Sequence, residues 1–320
     1  MRFVIIGAGG IGCYYAARLI EADQQVTLVA RGVHLDAMRE KGLQVKHPSM
    51  SFDQAVSAVT MEEWFETTSV DSVDVIIVCL KAMQTEAFAK SLKGWINQSS
   101  PAKKPLILSL QNGVENEKYL KESLGDALVL GGIARRIGTH IVAPGVVEAV
   151  GPAEVIFGVW PNHETISQEA LSRVKELLTC FNDANIPTEL STDINKEIWR
   201  KLIINNAFNP LCTLLEVETG DVANVANLQP LIRGAMEEAA LAASAYGVEL
   251  TDDDVEGMYT LISTFDSIKP SMLIDREKAK PLEIEEICGV VIRGCELLGK
   301  DAPYNRSIAG LLEFILKKDK

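Results

Sequence analysis

The sequence contains no apolar run close to the roughly 18 residues that a membrane-spanning helix needs. Its longest strongly apolar stretches, such as Val75–Leu80 and Pro105–Leu110, have the length of buried strands. Arg2 precedes the apolar residues Phe3–Ile6, but this core of four residues is too short for a signal peptide. We therefore expect a cytoplasmic protein with no membrane partner.

Basic residues are few relative to acidic ones. The 320-residue chain has 31 Lys and Arg against 44 Asp and Glu, which gives a formal net charge of −13. Because nucleic acids and anionic membranes bind basic surfaces, neither is expected as the main partner. A local basic pocket for a small anion is still compatible with this balance.

Paired cysteines and clustered histidines are also missing. The six cysteines are scattered and form no CxxC motif, and the four histidines, His163 among them, show no metal-ligand spacing. In a chain of this size, such cysteines are typical of buried free thiols in a reducing compartment. The sequence therefore predicts no metal site.

Composition and length indicate a soluble globular protein of about two domains, with 47% hydrophobic and 23% charged residues. In the first third, continuous apolar runs alternate with helical signals such as the stretch near Gly10–Ala22. The runs are Phe3–Ile6, Val26–Val29, Val73–Leu80, Leu106–Leu110 and the shorter Ala127–Leu130. This alternation predicts parallel strands covered by helices on both faces, in a doubly wound α/β sheet.

The pattern changes after residue 136. Ile137–Val142, Gly145–Val150 and Val155–Val159 are short segments separated by Pro and Gly turns, and they predict an antiparallel extension at an edge of the sheet. A helix near Gln168–Asn182 then closes the first domain. Beyond about residue 190 strand signals vanish, and helical segments follow. These cover Ile194–Leu215, Asn227–Ala245, Asp252–Phe265, Leu282–Leu298 and Ser307–Lys317. We predict an α/β domain over residues 1–190 and an all-helical domain over residues 191–320.

The segment Gly7-Ala8-Gly9-Gly10-Ile11-Gly12 matches the pattern G-x-G-x-x-G. The pattern alone is weak, but here it follows an apolar strand and opens a helix, as a dinucleotide-binding motif does. Gly7 permits a tight turn, Gly9 lets the backbone approach a pyrophosphate, and Gly12 lets helix and strand pack closely. The N-terminus of the helix then offers free N–H groups to the anion.

The residue after the second strand indicates which dinucleotide binds. NAD-binding folds usually place Asp or Glu there to accept a hydrogen bond from the ribose 2′-hydroxyl. In this chain Val26–Ala30 is followed by Arg31 instead. A guanidinium can hold a 2′-phosphate, which a carboxylate would repel, so Arg31 favours NADP(H). The alternative is a solvated surface arginine.

Two further segments lie where strands should end beside the cofactor. Lys81 follows Val75–Leu80 and could reach a phosphate or ribose, and Gln111-Asn112-Gly113 follows Leu106–Leu110. In open α/β sheets, ligands lie beyond the carboxyl ends of the strands. An Asn followed by Gly can turn sharply there and direct its amide at the nicotinamide or the substrate. Either residue alone could equally be an ordinary loop residue.

A stripe of polar residues runs along an otherwise apolar helix in the second half. Lys201, Asn205 and Asn209 recur every four residues and therefore lie on one face. Burying an ammonium and two amides is costly unless they have partners, and a polar ligand would satisfy all three. The alternative is a solvated face. Pro210 is expected to kink or locally open this helix.

Taken together, the motifs resemble those of the ketopantoate reductase (2-dehydropantoate 2-reductase) family over essentially the whole chain. They are Gly7–Gly12 with Arg31, Lys81-Ala82, Leu110–Gly113, Trp199–Lys201 with Asn205 and Asn209, Ser271–Leu273, and Glu283. The resemblance implies an N-terminal NADP-binding Rossmann domain, a C-terminal helical substrate domain, and an active site between them. Physical reasoning alone would not select Ser271 or Glu283 from the many hydroxyls and acids of the chain.

The resemblance also implies a role for each residue. Lys201 would be the catalytic acid, and Glu283 would support catalysis and bind a substrate hydroxyl. Three further residues, Asn205, Asn209 and Ser271, would hold the substrate. Asn112 would lie near both nicotinamide and substrate, while Lys81 and Arg31 would serve the cofactor.

The implied reaction is the NADPH-dependent reduction of 2-dehydropantoate to (R)-pantoate, a step towards pantothenate and coenzyme A. Hydride would reach the ketone carbon while Lys201 protonates the oxygen, on which negative charge develops. One alternative is a reductase of another 2-oxo or 3-hydroxy acid. Another is a non-catalytic NADP(H)-sensing protein, although a sensor needs no proton donor. The expected partner is a small 2-oxo acid, and a homodimer is compatible with the sequence.

Overall fold

A computed structural model describes residues 1–98, 104–162, 165–264 and 267–318. His163 and the predicted helix end at Phe265 lie outside these residues. The chain divides into two compact units. Unit 1 comprises Met1–Gln111 and Glu115–Ile194, and unit 2 comprises Asn112–Val114 and Asn195–Lys320. The chain passes from unit 1 to unit 2 after Ile194, four residues beyond the boundary that the sequence predicts at residue 190. The grouping of Asn112–Val114 with unit 2 was not predicted.

Unit 1 contains two β-sheets. Its strands are β1 (Arg2–Ile6), β2 (Gln25–Val29), β3 (Leu43–His47), β4 (Met50–Gln54), β5 (Ser57–Val59), β6 (Val75–Val78), β7 (Leu106–Ser109), β8 (Val129–Arg135), β9 (Gly138–Ala143), β10 (Val146–Val150), β11 (Glu154–Val159) and β12 (Thr188–Leu190). Eight of them form the main sheet in the order β12-β11-β8-β7-β6-β1-β2-β5. The other four form a second sheet in the order β4-β3-β10-β9.

The helices of unit 1 alternate with the strands of the main sheet. They are α1 (Gly10–Glu21), α2 (Gly32–Lys41), α3 (Met61–Thr67), α4 (Thr85–Ile96), α5 (Asn116–Leu124) and α6 (Gln168–Asp183), with 3-10 turns at Val70–Ser72 and Ala82–Gln84. The alternation of strands and helices confirms the predicted α/β class.

The main sheet is parallel from β5 to β8. All residues of β6 and β7 are buried, as the continuous apolar runs predicted for strands covered on both faces. The prediction of Ala127–Leu130 as a strand was too short, because β8 continues to Arg135. Glycines interrupt its apolar run, and a Cβ on Gly132 would lie 2.8 Å from Leu110 Cδ2, so the strand needs this small residue for packing.

The predicted antiparallel extension is correct for only one of its three segments. β11 pairs antiparallel with β8 in the main sheet, and β12 then pairs with β11. β9 and β10 instead belong to the second sheet, where β10 pairs with β3. No strand is predicted from the sequence over residues 43–59, so β10 had no predicted partner there.

Helices cover both faces of the main sheet. One hydrophobic cluster combines residues of the sheet with residues of α1, α6 and the second sheet, such as Tyr15, Phe181 and Val147. The other face packs against α3, α4 and α5 through Trp64, Trp95 and neighbouring residues. The second sheet therefore covers α1, whose buried residues run from Gly12 to Leu19.

Unit 2 is helical in its described part. Its helices are α7 (Ile194–Leu215), α8 (Thr219–Ala223), α9 (Gln229–Ala245), α10 (Asp252–Thr264), α11 (Ser271–Glu277), α12 (Val290–Leu297) and α13 (Pro303–Lys318), with a π-helical segment at Glu285–Gly289. The predicted helix over Leu282–Leu298 is thus divided into a π turn and α12. The helix α7 matches its predicted bounds and remains helical through Pro210. Buried neighbours such as Ala207, Phe208 and Leu211 hold it in place.

All six cysteines are free. Four are buried and two, Cys79 and Cys180, are half-buried. Within the described ranges, no helix has the length and apolar character to cross a bilayer, and no group of three or more His, Cys, Asp or Glu is arranged to hold a metal ion.

Candidate functional site

The glycine loop follows β1 at the point where the chain order of the main sheet reverses. β1 lies between β2 and β6, so the loop lies at the position where open α/β sheets bind ligands. Gly7 has a φ of +97°, and a Cβ there would lie 2.9 Å from the backbone of Cys79. The N–H groups of Gly7 and Ala8 both donate to the carbonyl of Val29, at 3.1 and 3.0 Å. These contacts hold the loop against the end of β2.

The start of α1 has room for a ligand above Gly9, whereas β9 closes over Gly10, where a Cβ would lie 2.5 Å from Thr139 Oγ1. A Cβ on Gly12 would lie 2.5 Å from the Gly7 carbonyl oxygen, so the helix can pack this closely only with glycine there. A Cβ on Gly9, the N-cap residue, would meet no atom within 4 Å, so space lies above the loop. The N-cap residue itself, a glycine, has no side chain with which to cap the helix. Its first N–H groups and positive dipole end are therefore available to a phosphate.

Arg31 lies between β2, which ends at Val29, and α2, beside the glycine loop in the sheet order. It is exposed and forms the N-cap of α2 in an extended conformation. Within the described part of the chain, no ion pair or hydrogen bond engages its guanidinium. The guanidinium is thus available to an anion, although the same exposure would suit a solvated surface residue.

Lys81 and Gln111 lie in the loops that follow β6 and β7. Lys81 is half-buried and precedes the 3-10 turn at Ala82–Gln84. Gln111 is buried, and its amide donates to Leu80 O at 3.0 Å and to Thr85 Oγ1 at 2.7 Å. Thr85 in turn donates to Asn116 Oδ1 at 2.8 Å. From the sequence Gln111 is only part of a turn, whereas in the structure its amide connects the two loops.

The turn after Gln111 directs the chain into unit 2. Gly113 has a φ of +91°, and Asn112 beside it is half-buried. Val114 packs against the hydrophobic cluster of the helical unit. Asn112 therefore groups with the unit that also carries Lys201, Asn205 and Asn209.

Glu117 is a buried carboxyl that was not among the predicted site residues. It is 1% exposed at the start of α5, and burial raises its pKa from 4.5 to about 7 against the opposing influence of the Ser109 hydroxyl. No local sequence pattern distinguishes Glu117 from the exposed acids around it. Its burial follows from the packing of α5 against the main sheet.

The polar stripe of α7 is not a solvated face. Lys201 and Asn205 are half-buried and Asn209 is buried, with an exposure of 5%. Two other cations of the helix, Lys196 and Arg200, pair with Asp254 at 2.9 and 3.6 Å. The stripe therefore carries an ammonium and two amides in a partly dry environment, as expected for groups that meet a polar ligand.

The charge of Glu283 acts on Lys201 within unit 2. Glu283 is 5% exposed and lies just before the π turn, and its backbone carbonyl accepts a hydrogen bond from Ile287 N–H at 3.1 Å. Burial lowers the pKa of Lys201 from 10.5 to about 8, although the charge of Glu283 acts in the opposite direction. Lys201 is thus mainly an ammonium at neutral pH, with a proton that leaves more easily than from an ordinary lysine.

Ser271 is the first residue of α11 and is exposed. The sites named from the sequence thus fall into two sets. Unit 1 holds Gly7–Gly12, Arg31 and Lys81, and unit 2 holds Asn112, the α7 stripe, Ser271 and Glu283.

Known proteins resemble the chain over nearly its whole length. The family described as "Ketopantoate reductase PanE/ApbA" matches residues 3–162, and its C-terminal counterpart matches residues 193–315. A 2-dehydropantoate 2-reductase of Pyrococcus horikoshii is 30% identical over 95% of this chain and 94% of its own. The crystal structure of a PanE/ApbA family ketopantoate reductase from Ralstonia eutropha is 30% identical with a TM-score of 0.85, covering 99% of each chain. A D-mandelate dehydrogenase solved with NADH and anilino(oxo)acetate shares the fold, with a TM-score of 0.84 at 23% identity over 98% of this chain and 97% of that one.

Proposed function

The chain belongs to the ketopantoate reductase family, and on that basis we propose that it reduces 2-dehydropantoate to (R)-pantoate with NADPH. The observation that carries the proposal is the pair of Lys201 and Glu283, a lysine whose pKa burial lowers to about 8 next to a buried carboxylate. Such a lysine has the proton and the charge that carbonyl reduction requires. The family reaction uses a small keto acid and a nicotinamide dinucleotide.

The glycine loop and its neighbours fit that cofactor. The space above Gly9 and the uncapped start of α1 suit the pyrophosphate, while Lys81 and Asn112 would bind towards its ribose and nicotinamide. Arg31 supports NADP(H) over NAD(H), because an exposed guanidinium is suited to a 2′-phosphate and no acid occupies that position. When bound, the reduced nicotinamide supplies the hydride.

The chain's own residues would bind the substrate and provide the proton. The ammonium of Lys201 stabilises the negative charge that develops on the carbonyl oxygen and donates its proton there. The amides of Asn205 and Asn209 and the hydroxyl of Ser271 offer donors to the substrate carboxylate. Glu283 can accept a hydrogen bond from the distal hydroxyl and keeps Lys201 protonated through its charge.

A spectrophotometric assay of NADPH oxidation with a panel of 2-oxo acids tests the proposal. We expect 2-dehydropantoate to exceed its deoxy analogue, 3,3-dimethyl-2-oxobutanoate, by about 100-fold in kcat/KM, because a site built to bind a hydroxyl rejects a ligand without one. Comparable efficiency on both compounds would indicate a reductase of other 2-oxo acids. Preference for NADH would overturn the assignment of Arg31. A homodimer stays a prediction, which sedimentation of the pure enzyme would test.

A further inference from the structure

Three buried polar side chains of unit 2, those of Asn206, Asn305 and Glu238, are joined by hydrogen bonds. Asn206 follows Asn205 in the sequence but points away from solvent, with an exposure of 0%. Its amide nitrogen donates to Ile287 O at 3.0 Å and also to Asn305 Oδ1. Neither the sequence motifs nor the proposed mechanism assigns a role to Asn206.

Glu238 determines the direction of these hydrogen bonds. Its carboxylate, on α9, accepts from Tyr304 N–H at 2.9 Å, from Asn305 N–H at 2.9 Å and from Asn305 Nδ2 at 2.8 Å. Because a carboxylate with three donors around it can only accept, Asn305 must turn its amide nitrogen towards Glu238 and its oxygen towards Asn206. Asn206 must then present its own nitrogen to that oxygen, since the reverse orientation would oppose two acceptors.

The other hydrogen bond of the Asn206 amide goes to the carbonyl of Ile287, in the π turn that follows Glu283. Ile287 lies in the π-helical segment Glu285–Gly289, in which Val290 N–H bonds to Glu285 O five residues back. The N–H of Ile287 donates to the carbonyl of Glu283 itself, and its carbonyl accepts from Asn206. Isolated π turns inside helices occur often at functional sites, and this one has an amide from α7 fixing it.

The oxygen of Asn206 has no hydrogen-bond partner among the described residues. A buried carbonyl without a donor is unfavourable, and an apolar residue of similar shape would avoid that cost. What Asn206 provides and a leucine cannot is the hydrogen bond from its amide nitrogen to the carbonyl of Ile287. It links α7, the helix of Lys201, to the peptide that bonds to Glu283.

We propose that Asn206 is a positioning residue, which holds the π turn and thereby places Glu283 relative to Lys201. The inference depends on the proposed function, in which these two side chains act on the substrate. Asn206 itself touches neither substrate nor cofactor in this proposal. Loss of its amide would let the turn shift and weaken the influence of Glu283 on the Lys201 ammonium.

The test uses Asn206→Leu, which keeps the shape but removes the donor, and Asn206→Ser, which leaves room for a water and is expected to fold. The matched control is Tyr259→Phe, which removes one buried hydrogen bond, from Tyr259 Oη to Ala223 O at 2.8 Å, elsewhere in unit 2. All are measured for thermal unfolding, kcat and KM across pH. We expect both Asn206 variants to lose about 10- to 100-fold in kcat, the scale of a misplaced catalytic group, with less change in KM.

The pH dependence separates positioning from stability. In the Asn206 variants the alkaline fall of kcat should move to lower pH, because Glu283 supports the Lys201 proton less well. Tyr259→Phe should lose stability but keep the wild-type kcat and pH profile. Wild-type kcat and pH profile in the folded Asn206 variants, or an equal loss of kcat in the control, would overturn the proposal.

A second readout does not depend on turnover. NMR of isotope-labelled lysine side chains, with the Lys201 signal assigned through Lys201→Arg, gives its titration midpoint, expected at about 8 in the wild type. The midpoint should fall in Asn206→Leu and stay in Tyr259→Phe. If the wild type reduced no 2-oxo acid, the proposed function would fail, while this shift would still support the placement of Glu283 by Asn206. An unchanged midpoint in Asn206→Leu would refute that placement even in an active enzyme.

Discussion

The rate of reduction should fall with pH as Lys201 loses its proton. Burial lowers the pKa of Lys201 to about 8, and the proton donor must be an ammonium. At pH 7 about nine-tenths of the enzyme then carries the proton, at pH 8 about half and at pH 9 about a tenth. We expect kcat/KM, which reports the pKa values of the free enzyme, to be nearly constant below pH 7 and to fall about tenfold per pH unit above pH 8.

Removing the charge of Glu283 should move this fall to lower pH. Glu283→Gln keeps the shape of the side chain but abolishes the negative charge that raises the pKa of Lys201. Because burial then acts unopposed, the pKa of Lys201 drops below its wild-type value and less of the enzyme is protonated at pH 8. The overall level of activity should fall as well, since the variant loses an acceptor for the substrate hydroxyl.

The assay is NADPH oxidation at limiting 2-oxo acid from pH 6 to 10, which gives kcat/KM, with the shape of the profile compared rather than its height. Glu286→Gln is the matched control, because Glu286 is a half-buried carboxyl three residues further along the same segment. Its profile should keep the wild-type midpoint. A wild-type rate that does not change up to pH 10, or a Glu283→Gln profile with an unshifted midpoint, would refute the role of the pair.

Three further predictions concern the cofactor, the glycine loop and stability. Arg31→Ala should weaken NADPH binding by about 10- to 150-fold, which is the contribution of a charged hydrogen bond, and should leave NADH binding nearly unchanged. Calorimetric titration with both cofactors measures this, and equal losses for the two would contradict the assignment of Arg31. Gly12→Ala places a Cβ 2.5 Å from Gly7 O, so thermal unfolding should occur at lower temperature and NADPH affinity should drop, whereas a normal protein would contradict the close packing. Lys201→Met should inactivate the enzyme yet stabilise it at pH 7 by about 1–3 kcal/mol, measured by denaturant unfolding. The pKa of Lys201 is about 8 in the folded chain and 10.5 in the unfolded chain, so between these pH values the unfolded wild type binds more protons than the folded one. Wild-type stability therefore rises with pH across that window and is smallest below it, because there the folded chain must bury a charged lysine, which Met avoids. A destabilised Lys201→Met would contradict this sign.

Local signals in the sequence were sufficient for much of the fold. Continuous apolar runs identified β1, β2, β6 and β7, because strands buried on both faces need apolar residues at every position. The apolar stretch around Lys201 predicted α7 with its observed bounds, and four-residue spacing placed Asn205 and Asn209 on one face. The glycine pattern placed the turn after β1, since only glycine accommodates the φ of +97° at Gly7 and the close contact at Gly12.

Contacts between distant parts of the chain decided the rest. The second sheet pairs β3 with β10, whose residues lie about 100 positions apart, and hydrophobic periodicity carries no information about such pairing. In the same way, nothing near Asn206 in the sequence indicates that it will meet Asn305 and Ile287, and the π turn cannot be separated from an ordinary helix by its apolar pattern. The lowered pKa of Lys201 also depends on tertiary structure, because burial and the approach of Glu283 arise only when the helices pack together. The residue types were thus readable from the sequence, but their environments existed only in the folded chain.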